Sequence, residues 1–301
     1  MKKTWKSNLA AIPIGLYEKA LPINLTWQER LNHAKKAGYE FLEMSIDETD
    51  HRLARLDWKK QDYKRLSDAM DSSGLFIQSL SLSAHRRFPL GSRSADTRQK
   101  AADILDKAID FCLALNLRVL LLSGADVYYE DSDAQTKDWF LQGLEKGFEQ
   151  ASAAGLMLAL ENWDLRIDSL TKVMTYVDYF NSPWFQAYAD LGNLIYAGKG
   201  LCAELETAKG HIAALHVKDT LRGQLRYVTP GEGQVPFDQA FAKLAGMGFQ
   251  APVVLELWTE DFDNAFEIVS EANIFIRDRM AAGWHIYEDS LNKAFEGEEI
   301  N

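Results

Sequence analysis

No run of this sequence approaches the ~20 apolar residues that a membrane-crossing helix needs, and no G-x-G-x-x-G or P-loop pattern occurs in it. The first absence argues against a membrane partner. The second argues against the phosphate loops of open nucleotide-binding sheets; the place after the first apolar run reads LYEKALP instead. Cysteine is scarce. Cys112 and Cys202 stand far apart, each in an apolar helical context (DFCLAL and GLCAEL). Such thiols imply no disulfide framework, are expected to be buried or half-buried, and suit a reducing cytoplasm. Positive charge is also short: 33 Lys and Arg against 44 Asp and Glu give a net charge of −11. An acidic surface repels phosphate backbones, so nucleic acid is not an expected partner, although one basic pocket would suffice for a small phosphorylated molecule. The basic N-terminus is interrupted by Pro13 and Gly15 before an apolar signal core can form, so a cytoplasmic protein is expected.

What the chain has is alternation. Eight nearly unbroken apolar runs cover residues 12–17, 41–46, 76–82, 119–123, 157–161, 185–190, 212–217 and 253–257. Runs without polar alternation suit parallel strands covered on both faces. Between and after them, helical patterns span 26–37, 58–72, 95–115, 136–154, 169–180, 201–209, 237–247 and 265–281. Six of these stop at a glycine: Gly38, Gly74, Gly155, Gly210, Gly248 and Gly283. Eight strands alternating with eight helices predict an α/β fold, a single-domain (β/α)8 barrel over 1–283. The C-terminal extension 284–301 is expected to be helical with a frayed acidic end, packed under the barrel or on a neighbouring subunit. A homodimer is expected.

A barrel of this kind carries its active site at the C-terminal ends of its strands. The fifth run ends LALEN at Glu161, the sixth QAYAD at Asp190, the seventh reads AALHVKD with His216, and the eighth VVLELW with Glu256. Taken singly, each has an ordinary explanation as a capping acid, a turn residue or a core histidine. Taken together, three carboxylates and an imidazole in buried strands would be costly without a cation. These four are therefore the candidate metal ligands. The oxygen-rich set favours Mn2+ or Mg2+, with Co2+ and Zn2+ as alternatives. Such an ion can draw charge from a sugar carbonyl and stabilise an enediolate; Glu161 and Glu256, on non-adjacent strands, are candidates for the base and acid on opposite faces. Candidate substrate-binding residues on the same rim are Glu43, His85, Arg86, Arg87, Asn193, Lys218 and Asp219. The turn Thr229-Pro-Gly-Glu-Gly233 could let backbone N–H groups approach an anion or simply reverse the chain.

These residues sit in motifs that resemble a known family. GLYEKALP at 15–22, EMSIDETDHRLARLDW at 43–58, LSAHRRFPLGS at 82–92, DVYYED at 126–131, NSPWFQAYADLGN at 181–193, HVKDT at 216–220, GEG at 231–233 and LELWTE at 255–260 are similar to the xylose-isomerase-like TIM barrels. Within that group the chain resembles the L-ribulose-5-phosphate (L-xylulose-5-phosphate) 3-epimerases. The resemblance covers residues 15–283. It implies one divalent metal on Glu161, Asp190, His216 and Glu256, the two glutamates as acid/base pair, and a ketopentose 5-phosphate substrate. Departures lie at Glu161-Asn-Trp-Asp164, where the subfamily usually has E-I-M-D, at Thr229-Pro-Gly-Glu-Gly, where it has P-F-G-E-G, and at Asn193, where free-ketose epimerases carry histidine. They leave open a hexulose 6-phosphate, and the ligand set leaves open the alternative outcome of aldose–ketose isomerisation. A nuclease would need more histidines than the six present and a basic groove. A non-catalytic sugar-binding protein would have lost a ligand.

Overall fold

A computed structural model describes residues 9–163, 166–259 and 262–298. Asp164 and Glu260 of the motifs above, the basic residues 1–8 and the final residues 299–301 of the expected frayed end lie outside the described residues. Eight parallel strands close in sequence order into a barrel: β1 (Ile14–Tyr17), β2 (Phe41–Ile46), β3 (Phe76–Leu82), β4 (Val119–Ser123), β5 (Met157–Glu161), β6 (Phe185–Asp190), β7 (Ile212–Val217) and β8 (Val253–Leu255). The first helices are α1 (Trp27–Lys36), α2 (Asp50–Leu53), α3 (Lys60–Ser73), α4 (Ala95–Ala114) and α5 (Ala134–Ala153). They are followed by α6 (Leu170–Phe180), α7 (Leu191–Tyr196), α8 (Leu201–Thr207), α9 (Phe237–Gly246) and α10 (Ala265–Glu298). No helix among the described residues is long and apolar enough to cross a membrane.

The runs conceal a period of two. On β2, Leu42, Met44 and Ile46 join the large core between barrel and helices, while Glu43 and Ser45 alternate with them, fully buried. On β3, Leu80 and Leu82 face the same core and Ser79 and Ser81 alternate. A smaller apolar layer of Val119, Leu121, Ala159, Tyr188 and Ala214 lies apart from that core. Gly15 makes room for a second: a Cβ there would lie 2.1 Å from the buried Phe41 ring.

Glycines 38, 74, 155, 210 and 248 follow their helices with positive φ. The expected stop at Gly283 is corrected, because α10 runs through it to Glu298, and the boundary expected after 283 falls inside this helix. Gly283 serves close packing: a Cβ there would lie 2.5 Å from Phe241 Cβ on α9. Two further expectations are corrected. Strand β8 ends at Leu255, although Glu256 N still donates to Val217 O. Cys202 is exposed, on the outer face of the short α8, while Cys112 is buried.

Beyond β1, Glu18 is fully buried and accepts from Arg52 Nε at 3.1 Å, Arg55 Nη1 at 2.7 Å and Ser45 N at 3.0 Å. Burial opposes its charge, but Arg55, Arg30 and Arg52 overcome this and lower its pKa to about 2. The folded state therefore prefers the carboxylate. The stabilisation is present above the ordinary value of 4.5 and is lost as pH falls through the folded value near 2. It amounts to something on the order of 3 kcal/mol. Glu18→Gln should lower Tm at neutral pH and flatten the fall of Tm between those two pH values. Parallel Tm-against-pH curves for the two proteins would remove Glu18 as the anchor.

Candidate active site and metal centre

Glu161 closes β5, Asp190 closes β6, His216 is the penultimate residue of β7, and Glu256 follows β8 directly. The strand register aligns them: Asp190 pairs with His216 across β6 and β7, and His216 with Val254 across β7 and β8. One ligand atom from each of the four lies within 4.8 Å of the others, and all four residues are buried. His216 Nδ1 lies 2.9 Å from Glu161 Oε1, 3.6 Å from Glu256 Oε2 and 3.9 Å from Asp190 Oδ2.

The residues around Asp190 show how a turn acid becomes a ligand candidate. Asp190 caps α7, its Oδ1 accepting from Asn193 N at 2.8 Å. Its Oδ2 is paired with Lys218 Nζ at 2.7 Å. Asn162 brackets the backbone of Asp190, donating to its carbonyl at 2.9 Å and accepting from its N–H at 2.8 Å. Asn193 in turn donates to Asn162 O at 2.8 Å. One oxygen of Asp190 is thus committed to the fold and the other is aimed at the cluster.

Lys218 also reaches Glu256 Oε2 at 2.8 Å. Burial disfavours charge on Asp190, Glu256, His216 and Lys218, and the attraction between opposite charges decides the outcome. Asp190 is pushed up by burial and by Glu256 and Glu161, despite Lys218. Glu256 is held down, against burial, by Lys218 and His216. His216 resists burial and is held well above the usual imidazole range by Glu256, Glu43 and its hydrogen bonds. Three buried carboxylates and an imidazole, with one lysine to offset them, form the donor set that a divalent cation satisfies, so the residues fit such an ion.

A narrow cavity of about 40 Å³ opens above the cluster, lined among others by Tyr17, Lys19, Arg86, Trp163, Lys218, Arg226 and Trp258. Arg86 lies over the Trp163 ring at 4.3 Å, and Arg226 over Trp258 at 5.0 Å. The Nε of each guanidinium is buried with no hydrogen-bond partner among the described residues.

The expected substrate residues separate. Arg86 and Lys218 reach the cavity. His85 does not: it is buried against α4, 3.2 Å from Ala101 O, and burial lowers its pKa to about 4 although that hydrogen bond works the other way. Arg87 points to solvent and pairs with Asp50 at 2.7 Å. Asp219 faces the 231–235 loop, accepting from Gly231 N at 2.8 Å, Gly233 N at 2.9 Å and Val235 N at 3.1 Å. The anion that this loop greets is therefore the chain's own carboxylate. Asn193 stands behind Asp190. Glu43 lies beneath His216, its Oε1 2.7 Å from Nε2. Arg226, Asn162 and Tyr17 were not singled out from the sequence. Arg226 carried one signal, a cation in the loop after β7.

Comparison with known proteins adds to this geometry. The model of the xylose isomerase-like TIM barrel family matches residues 31–279. The L-ribulose-5-phosphate 3-epimerase UlaE of Escherichia coli O1:K1 / APEC is 43% identical over 271 residues, covering 90% of this chain and 95% of that protein. The enzyme of the same name from Salmonella paratyphi C (strain RKS4594) is 43% identical over 272 residues, covering 90% and 96%. Among solved structures, a D-psicose 3-epimerase with D-tagatose from Clostridium cellulolyticum H10 superposes with a TM-score of 0.76 at 14% identity, over 89% of this chain and 99% of that one. An L-ribulose 3-epimerase gives 0.73 at 17% identity, over 92% and 97%. At these identities the two structures show the shared fold.

Proposed function

We propose that this chain, which belongs to the xylose isomerase-like TIM barrel family, is a metal-dependent 3-epimerase interconverting L-ribulose 5-phosphate and L-xylulose 5-phosphate. One observation carries the reading: four metal-competent atoms from successive strands lie within 4.8 Å of one another at the mouth of the barrel. The 43% identity to proteins named L-ribulose-5-phosphate 3-epimerase, across 90% of this chain, supports the substrate class.

Glu161, Asp190, His216 and Glu256 would hold the ion, and their three carboxylates favour Mn2+ or Mg2+, with Zn2+ and Co2+ able to occupy the same set. A divalent ion there would draw charge from the ketose carbonyl and a neighbouring hydroxyl oxygen and so acidify the C3–H bond. The protein's own part is proton handling. One of Glu161 and Glu256 takes the C3 proton, leaving the substrate as a cis-enediolate, and the other returns a proton to the opposite face of C3. Lys218, beside Glu256, keeps that carboxylate anionic and able to accept. Lys19, Arg86 and Arg226 supply positive charge toward the substrate's phosphate, and the unpartnered Nε atoms of the two arginines have donors to spare. Two free cysteines accord with a reducing cytoplasm.

The test is turnover of L-ribulose 5-phosphate with Mn2+ in deuterated water. L-Xylulose 5-phosphate should appear with deuterium at C3, and unphosphorylated L-ribulose should show a kcat/KM lower by ~100-fold, the loss expected when charge-assisted contacts go unmade. A new aldehyde would make the enzyme an aldose–ketose isomerase. No deuterium in either sugar would make it a binder without chemistry.

A further inference from the structure

We infer that Glu43 is a positioning residue that fixes the ring orientation and tautomer of His216, so that Nδ1 presents a lone pair to the cluster. The inference rests on the proposed metal site and deepens it. Glu43 and His216 are both wholly buried, and they come from strands β2 and β7 on different sides of the barrel. Glu43 Oε1 lies 2.7 Å from His216 Nε2. Its other oxygen accepts from Ser79 Oγ at 2.6 Å and from Tyr188 Oη at 2.7 Å. Both carboxylate oxygens are therefore placed by groups from three other strands. The Tyr188 ring also packs against the imidazole, with centroids 4.6 Å apart, and Tyr17 flanks it at 6.1 Å.

This arrangement has one chemical consequence. A carboxylate only accepts, so the nitrogen facing it must carry the hydrogen. Without a cation Nδ1 also faces a carboxylate, Glu161 Oε1 at 2.9 Å, and donates to it; with Nε2–H held by Glu43, Nδ1 is the nitrogen that would release its proton to solvent as a cation enters, because it is the one that faces Glu161, Asp190 and Glu256. An imidazole held in this way by a carboxylate is both oriented and more basic toward a cation. Glu43 does not line the cavity, so it touches no substrate and acts through His216 alone.

Two measurements test this. The first needs no variant: nitrogen chemical shifts of 15N-histidine-labelled, Zn2+-loaded protein should show His216 as the Nε2–H tautomer, and an Nδ1–H tautomer overturns the inference. The second titrates Mn2+ into wild type and Glu43→Gln, reading free Mn2+ by electron paramagnetic resonance. The variant's Kd should rise 10–100-fold, with kcat largely restored at saturating Mn2+. A Kd within twofold of wild type overturns it. The wild-type arm separates the two readings: a protein that binds Mn2+ tightly but epimerises nothing sinks the proposed function and leaves the role of Glu43 standing.

Discussion

Glu161→Gln and Glu256→Gln should each lower kcat for epimerisation by at least 10³-fold at saturating Mn2+, the upper part of the range for removing a positioned acid or base. Both residues line the cavity and lie within 4 Å of the same His216 nitrogen. Glutamine keeps the shape and an oxygen ligand but cannot carry a proton between substrate and solvent. The more telling result is qualitative. Each carboxylate serves one face of C3, so each variant should retain proton abstraction from the epimer whose C3–H faces the surviving glutamate. In deuterated water, one variant should exchange the C3 proton of L-ribulose 5-phosphate without inverting it. The other should do the same only with L-xylulose 5-phosphate. If both variants exchanged the same epimer, a single residue would be serving both faces and the two-glutamate pair would be wrong. Near-normal turnover by either would have the same meaning.

The four-residue cluster was legible because a parallel barrel turns a linear rule into a spatial one. The last polar residue of each apolar run lands on one rim, whatever its distance along the chain. Glu43 was expected on that rim as a substrate-binding residue, and it lies beneath His216 instead. It sits mid-strand in FLEMSI, where burial on both faces makes the run read as continuous, and its partner is 173 residues away. The alternation of small polar and large apolar residues on β2 and β3 was present, but only a closed barrel gives the polar set an interior to share. His85, Arg86 and Arg87 were all expected at the rim. A short 3-10 turn over Ala84–Arg86 instead fans successive side chains about a third of a turn apart, one to the core, one to the cavity and one to solvent. Asp219 and Asn193 look like rim residues in sequence. Both are taken up in bonding backbone, a competition that composition cannot show. Gly283 had the signature of a helix stop, yet close packing against α9 explains it.

Removing divalent ions with a chelator should abolish measurable turnover and lower Tm together, and this coupling follows from the carboxylates rather than from the reaction. Three acids, an imidazole and a lysine share one buried volume, so the acids outnumber the lysine that offsets them. A cation that binds only the folded chain contributes about 4 kcal/mol at a thousandfold excess over Kd. At roughly 2 °C per kcal/mol for a chain of this size, that is about 5–10 °C. Asp190→Ala removes the residue whose one oxygen caps α7 and whose other oxygen meets the cluster. It should lower the Tm of the metal-free protein through the lost cap, by about 1 kcal/mol of stability, and make Tm insensitive to added Mn2+. Asp190→Asn keeps an acceptor for the cap but not the negative charge, so it should resemble wild type without metal and Asp190→Ala with it. If Asp190→Asn regained the full Mn2+ shift, the carboxylate charge would not be what holds the ion. Helix capping by Asp190 would then be a sufficient reason for its place at the end of β6.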